Sequence, residues 1–413
     1  MEQQTQQNKP KVEMTPLDSN KRLNHIDSLR GFALLGILLV NMFAFQYGTF
    51  GMELIPPVLT SNIDQVTYTF ISWFFQGSFY PIFSMLFGFG AIMIWERSQE
   101  RERPFYLLFV RRLLILMVMG FVHLYFIWDG DILLTYAITG FLFIFFVNRK
   151  AKTLLIWAIA IAALINLPGL LPGDDEAIVT FDSYVEYERD VLGNGTYGDI
   201  VHHRFTASPF EKIDYGIELS ALEREIMAIV MTVFNFITMI TQTLLLFLVG
   251  GYLAKKRWVH HPNDHKSTLM KIAFIAIILG LIIKAGNVFT TNESLEYFGY
   301  ILGGPLLGLG YIAAFCLLFN KIGETKIFKG FGYVGRMALS NYLAQSIVMT
   351  TIFYGYGFGL LGKLGTFIGV LLALALFLIQ MFISRLWLKR NQFGPMEWFW
   401  RVGTYLSIPK MKK

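Results

Sequence analysis

The sequence predicts an all-α polytopic membrane protein of about ten transmembrane helices with both termini cytoplasmic. Three observations predict it. The chain of 413 residues is 54% hydrophobic and only 15% charged, against about a quarter charged in soluble domains. Apolar runs long enough to cross a hydrocarbon core as helix recur along its length. The basic residues fall in short clusters between these runs. The net charge of +6 is therefore a topology signal rather than a nucleic-acid footprint. The runs lack period-two alternation, which excludes a barrel.

Residues 1–24 are polar and are expected to form a disordered cytoplasmic leader. The helical bundle is expected over 25–388. Its spans fall at about 28–48, 69–94, 109–128, 132–147, 153–171, 223–253, 269–289, 300–320, 333–354 and 364–388. In the second span Pro81 is expected to kink the helix, and Gly77, Gly88 and Gly90 to allow close helix contact. Residues 172–222 form one long extracytoplasmic insertion. Residues 389–413 form a cytoplasmic tail in which Pro395 starts a short surface helix. Positive charge supports this count. The loops 49–68, 129–131, 290–299 and 355–363 contain Lys363 and no arginine. The alternate side receives the five arginines of 96–112, Arg149, Lys255, Lys256, Arg257 and the basic tail. This pattern is that of an integral membrane protein among lipids, with no nucleic-acid partner. A homodimer is compatible with the sequence. The single cysteine, Cys316, excludes an internal disulfide and any multi-cysteine metal site. His202/His203 and His260/His261/His265 lack the ligand spacing that would set them apart from polar loops, so no metal is expected.

Three blocks carry a family resemblance: IDSLRGFALLGILLVN from Ile26 to Asn41; SMLFGFG with GFVHLYFIWDGDILLTYAITG, the latter from Gly120 to Gly140; and GRMALSNYLAQS from Gly335 to Ser346 with FGPMEWFWRVGTY from Phe393 to Tyr405. With these blocks the chain resembles the YeiB-like (DUF418-type) family of bacterial multispan membrane proteins of unknown function. The Asp-x-Leu-Arg-Gly opening is also similar to that of integral-membrane acyltransferases acting on sugars, including heparan-alpha-glucosaminide N-acetyltransferase. Many of the O-acyltransferases end that motif in histidine, where this chain has Asn41. The N-acetyltransferase ends it in asparagine but has its catalytic histidine soon after, and this chain has none between 26 and 122.

The candidate residues follow from chemistry. Arg30, beside Asp27, offers a rigid donor fork for phosphate or carboxylate; the plainer alternative is a snorkelling ion pair. Asn41 lies eleven residues further along the first span and either lines a cavity or bonds a neighbouring helix. His123 is the one histidine inside a predicted span and is the candidate general base, because imidazole titrates near neutrality. Asp131 orients it or caps the next helix. Asp129 contacts an acceptor or closes a tight turn. Arg336, Asn341, Tyr342, Gln345 and Ser346 concentrate polarity in the ninth span, as a donor site or as interhelical bonding. Gln380 joins that network, and Glu397 and Arg401 are spaced to pair. Two classes of function remain. One is an acyltransferase moving an acyl group from a cytoplasmic acyl-CoA-like donor to a hydroxyl or amine of an envelope sugar or lipid. The other is a transporter or exporter of a small polar or amphipathic solute, with a non-catalytic scaffold as the blandest case. Arg30 and His123 are expected near opposite membrane faces, a gap that a pantetheine arm would have to bridge.

Overall fold

The computed structural model describes residues 23–55, 59, 61–102, 104–170, 181–212 and 219–413. The expected leader lies almost wholly outside these residues, as do the carboxylates at 174–176. The described chain is helical, without strands among the described residues; a lone antiparallel bridge joins Asn391 and Lys412.

The helices are α1 (Asn24–Tyr47), α2 (Asn62–Phe74), α3 (Phe79–Glu100), α4 (Phe105–Val122), α5 (Leu133–Phe143), α6 (Ala151–Asn166), α7 (Asp182–Asn194), α8 (Tyr197–Thr206), α9 (Ala221–Lys255), α10 (Lys266–Phe289), α11 (Glu293–Phe298), α12 (Gly304–Ile322), α13 (Lys326–Arg336), α14 (Ala338–Phe353), α15 (Thr366–Arg390) and α16 (Pro395–Tyr405). Among the described residues seven segments are long and apolar enough to cross a membrane: Asn24–Tyr47, Asn62–Glu100, Phe105–Ile127, Ala221–Lys255, Lys266–Phe289, Glu293–Ile322 and Thr366–Arg390. Helices also stand at the other three expected positions, but α5, α6 and α14 are shorter, at 11, 16 and 16 residues. Large apolar side chains such as Ile159, Phe234, Phe274 and Phe382 stand exposed on helix faces, as a lipid-facing surface requires.

The helix α1 is the hub. It packs against α3, α12, α13, α14 and α15, so it is buried on nearly every side. Its closest approach is to α13: a Cβ at Gly31 would lie 2.0 Å from the Phe331 carbonyl oxygen, and one at Gly335 would lie 1.9 Å from the Asp27 carbonyl oxygen. Only hydrogen side chains permit the two backbones to meet there. The helices α3 and α9 pack in the same way, through Gly88 against Phe247 and Gly250 against Met85.

Two expectations for the second span need correction. The span breaks at residues 75–78, before Pro81, and Pro81 lies in the first turn of α3, where its missing N–H costs nothing. Gly77 turns the break with a φ of +69°, a conformation glycine adopts without steric penalty. A Cβ at Gly90 would meet nothing within 4 Å, and the residue instead lines a cavity.

Within 172–222 the helices α7 and α8 are described. Glu188 of α7 reaches the end of α1, where its carboxylate accepts from the Phe50 N–H at 3.2 Å. The tail helix α16 begins at Pro395, as its sequence predicts.

Candidate functional site

A cavity of about 420 Å³ opens among α1, α3, α4, α13, α14 and α16. This volume is within the range of small-molecule sites. Among the described residues six arginines line it, Arg30, Arg97, Arg101, Arg112, Arg336 and Arg401, against two carboxylates, Asp27 and Glu397. Positive charge in a partly dry cleft draws anions, and guanidinium forks suit phosphate. The rest of the lining is mostly apolar and runs inward past Phe83, Phe87 and Leu116 to Tyr136 and Tyr342.

Each arginine is positioned by its own element. Arg30 lies one turn after Asp27 on α1 and bonds its carboxylate at 3.0 Å and the Gly335 carbonyl at 3.4 Å. Arg112 stacks on Trp400, its guanidinium carbon 3.6 Å from the ring centroid, while the Trp400 indole N–H donates to the Arg112 carbonyl at 2.8 Å. This pair docks the tail helix on α4. Arg401 sits over the Phe393 ring at 4.3 Å. Glu397 accepts from the Leu339 and Ser340 N–H groups at 2.7 and 3.1 Å and from the Ser340 hydroxyl at 2.5 Å. Its carboxylate therefore closes the otherwise unsatisfied N-terminus of α14. The tail thus forms part of the cavity wall.

Beyond Tyr342 stands a chain of three buried polar side chains. Asp131 Oδ1 lies 2.7 Å from His123 Nδ1, and His123 Nε2 lies 2.9 Å from Ser346 Oγ. The side chains of His123 and Asp131 are fully buried, and Ser346 is buried as well. The second oxygen of Asp131 accepts from the Leu134 N–H at 2.7 Å, so the residue both orients the imidazole and caps α5. The two roles weighed as alternatives coexist. The turn His123–Ile127 at the end of α4 is π-helical. Such turns are rare and often mark functional sites. The His123 ring lies 5.1 Å from that of Tyr342, centroid to centroid. Tyr342 is therefore the partition between the arginine-lined cavity and the imidazole.

Of the sequence candidates, Asp27, Arg30, Arg336, Tyr342, Glu397 and Arg401 come together on the cavity, and His123, Asp131 and Ser346 form the chain behind it. Asn341, Gln345 and Gln380 take the other course, binding α14 to α15 outside the cavity lining. Asn341 Nδ2 donates to Ser384 Oγ at 3.0 Å, Gln345 Nε2 to Gln380 Oε1 at 2.8 Å, and Gln380 Nε2 to the Asn341 carbonyl at 2.9 Å. Asn41 is half-buried on α1 and belongs to neither group. Asp129 accepts from the Thr49 hydroxyl at 2.9 Å and neighbours Glu188. Burial and the Asp129 charge push the Glu188 carboxyl up to about 8.

Sequence reasoning missed three groups. Arg112 was legible only as one of a basic cluster. Glu188 carried no motif. Lys284 is fully buried within α10 and donates to the Gln76 carbonyl at the break between α2 and α3; its only signal was a lone lysine in an apolar span.

Comparison with known proteins places the chain. Residues 253–407 match the family described as Protein of unknown function (DUF418). The uncharacterised protein YxaH of Bacillus subtilis (strain 168) is 33% identical over 410 residues, covering 97% of this chain and 98% of that protein. The chain belongs to the DUF418 family. YeiB of Escherichia coli (strain K12), also uncharacterised, is 26% identical over 411 residues, covering 92% of this chain and 95% of its own. The DUF418 match takes in α10 to α16 and so contributes Arg336, Tyr342, Ser346, Glu397 and Arg401 to the site. Arg30, Arg112, His123 and Asp131 precede the matched region.

Proposed function

We propose that this DUF418 protein is a membrane acyltransferase. It takes a phosphate-bearing acyl thioester of the acyl-CoA class from the cytoplasm and passes the acyl group to a hydroxyl or amine of an envelope sugar or lipid. The observation that carries this reading is the continuity of the cavity from its arginine-lined mouth to Tyr342, with His123 on the far side. Phosphates are held at the mouth, the pantetheine arm follows the apolar wall, and the thioester approaches the imidazole. The gap between Arg30 and His123 thereby becomes the length of the donor. Asp131 keeps the Nδ1 proton in place, which leaves Nε2 free to accept one.

The reading takes ten crossings, both termini in the cytoplasm of a bacterial cell, and the arginine-lined mouth on that side. The loop charges support it. Cysteines introduced at Asn62 and Asn292 are expected to react with an impermeant thiol reagent from outside, and one at Gln99 only after permeabilisation. The native Cys316 is buried and gives little background. The activity test offers acetyl- and palmitoyl-coenzyme A to the purified protein in nanodiscs with a panel of envelope sugars and lipids, following free thiol release. Saturable donor binding with acceptor-dependent thiol release is expected. Absence of binding by either thioester would count for transport of a solute instead.

A further inference from the structure

The geometry points to Ser346 as a nucleophile that carries the acyl group covalently between donor and acceptor. The inference rests on the acyltransferase reading for the identity of that group, but the serine's reactivity can be tested without it. A hydroxyl in a helix ordinarily donates to the carbonyl four residues back. Thr350 and Thr351 on the same helix do so at 2.8 and 2.7 Å. Ser346 departs from this pattern: its contact with the Tyr342 carbonyl is 3.4 Å, while His123 Nε2 lies at 2.9 Å. One hydroxyl has one proton, and the shorter contact takes it. With Asp131 accepting from Nδ1–H, the Nε2 lone pair faces Ser346. The order carboxylate, imidazole, hydroxyl is that of a nucleophilic triad, which is recognised by geometry and roles rather than by fold.

The steps balance without a further reagent. Ser346 Oγ attacks the thioester carbonyl carbon, and its proton passes to His123 Nε2. The carbon–sulfur bond breaks, and the departing sulfur takes that proton and leaves as a thiol. Ser346 then holds an ester. An acceptor hydroxyl attacks the ester carbonyl as His123 takes its proton, and Ser346 Oγ leaves with that proton restored. The site is suited to a long-lived ester, because Ser346, His123 and Asp131 are closed off from water. Access requires Tyr342 to swing. It stands one turn before Ser346, and its hydroxyl is held by a 3.3 Å contact to the Gly130 carbonyl.

The test uses the full-length protein in nanodiscs and two probes. A decyl fluorophosphonate is expected to form an adduct at Ser346 by peptide mass mapping. The adduct is absent in Ser346→Ala and forms about 10²–10⁴-fold more slowly in His123→Gln. It forms faster in Tyr342→Ala, where the partition is removed. No adduct at Ser346 in either the unsubstituted protein or Tyr342→Ala overturns the proposal, as does equal labelling of Ser346→Ala. The second probe is radiolabelled acetyl- or palmitoyl-coenzyme A without acceptor, acid-quenched. Label on Ser346 is expected. Full transfer by Ser346→Ala would overturn the covalent role and leave the acyltransferase reading standing, with His123 acting directly on the acceptor. A fluorophosphonate adduct in a protein that neither binds nor cleaves either thioester would support the nucleophile and overturn that donor class.

Discussion

Asp131→Asn exchanges one oxygen for an NH₂ and reverses the direction in which a proton can move along the buried chain. The structure fixes which way the amide must turn. The Leu134 N–H lies 2.7 Å from Asp131 Oδ2 and needs an acceptor, so the amide oxygen stays there. The NH₂ then faces His123 Nδ1, where Asp131 Oδ1 sits at 2.7 Å. A donor at that position forces the imidazole proton onto Nε2, which must now donate to Ser346 rather than accept from it. The cap on α5 survives and the volume is unchanged. The stability cost is therefore confined to replacing a charge-assisted hydrogen bond by a neutral one, about 1 kcal/mol. The chemical cost is the whole of general-base catalysis, about 10²–10⁴-fold, or roughly 2.7–5.5 kcal/mol in the barrier. Two assays check it. Thioester cleavage should fall by that factor with the folded yield retained. Nitrogen-15 NMR of histidine-labelled protein, with His123→Gln identifying the resonance, should show the tautomer switch from Nδ1–H to Nε2–H, a readout needing no substrate. An unchanged tautomer, or a rate within twofold of the unsubstituted protein, would refute the reasoning.

Three further outcomes are expected. Arg30→Ala should weaken binding of coenzyme A by about tenfold, the lower end for a charge-assisted hydrogen bond because the side chain is 30% exposed; titration calorimetry in detergent at two salt concentrations measures it. Glu188→Gln should flatten the pH dependence of stability. The folded protein holds the Glu188 proton to about pH 8, whereas an unfolded chain releases it near 4.5. The folded state thus binds more protons, and stability falls as pH rises between those values. The glutamine variant should lose less melting temperature than the unsubstituted protein from pH 5 to pH 8. Gly335→Val should lower the yield of folded protein on size-exclusion chromatography, because its Cβ would lie 1.9 Å from the Asp27 carbonyl oxygen and α1 and α13 would have to part, at a cost of about 1–3 kcal/mol or more.

The helical membrane fold was readable because apolar length and loop charge are properties of contiguous sequence. The break near Gly77 was not placed, since Pro81 is the louder signal for a kink and its position at a helix start depends on where the previous helix stops. The buried chain was half readable. Asp131 lies eight residues from His123 and follows from local spacing, whereas Ser346 is 223 positions away and is brought there by helix packing. Arg112 illustrates the ambiguity of charge. In sequence it belongs to a cluster that sets orientation, and only the fold shows its guanidinium stacked on Trp400 at the cavity. Asn341 and Gln345 show the converse: polar density in an apolar helix marks a contact, and whether that contact is a ligand or Gln380 and Ser384 is decided by the neighbouring helix. Glu188 was illegible because its partners, Asp129 and the backbone at Phe50, belong to distant segments.

The central claim is that one ligand spans the distance from Arg30 to His123. A structure of the protein with a non-hydrolysable thioether analogue of palmitoyl-coenzyme A tests it most directly. The phosphates are expected against Arg30, Arg112 and Arg336, the pantetheine arm along Phe83 and Leu116, and the atom replacing the acyl carbonyl past a displaced Tyr342, within hydrogen-bond reach of Ser346 Oγ. Density for the analogue outside the cavity, or a Tyr342 still closed over a cavity filled by another solute, would contradict the account.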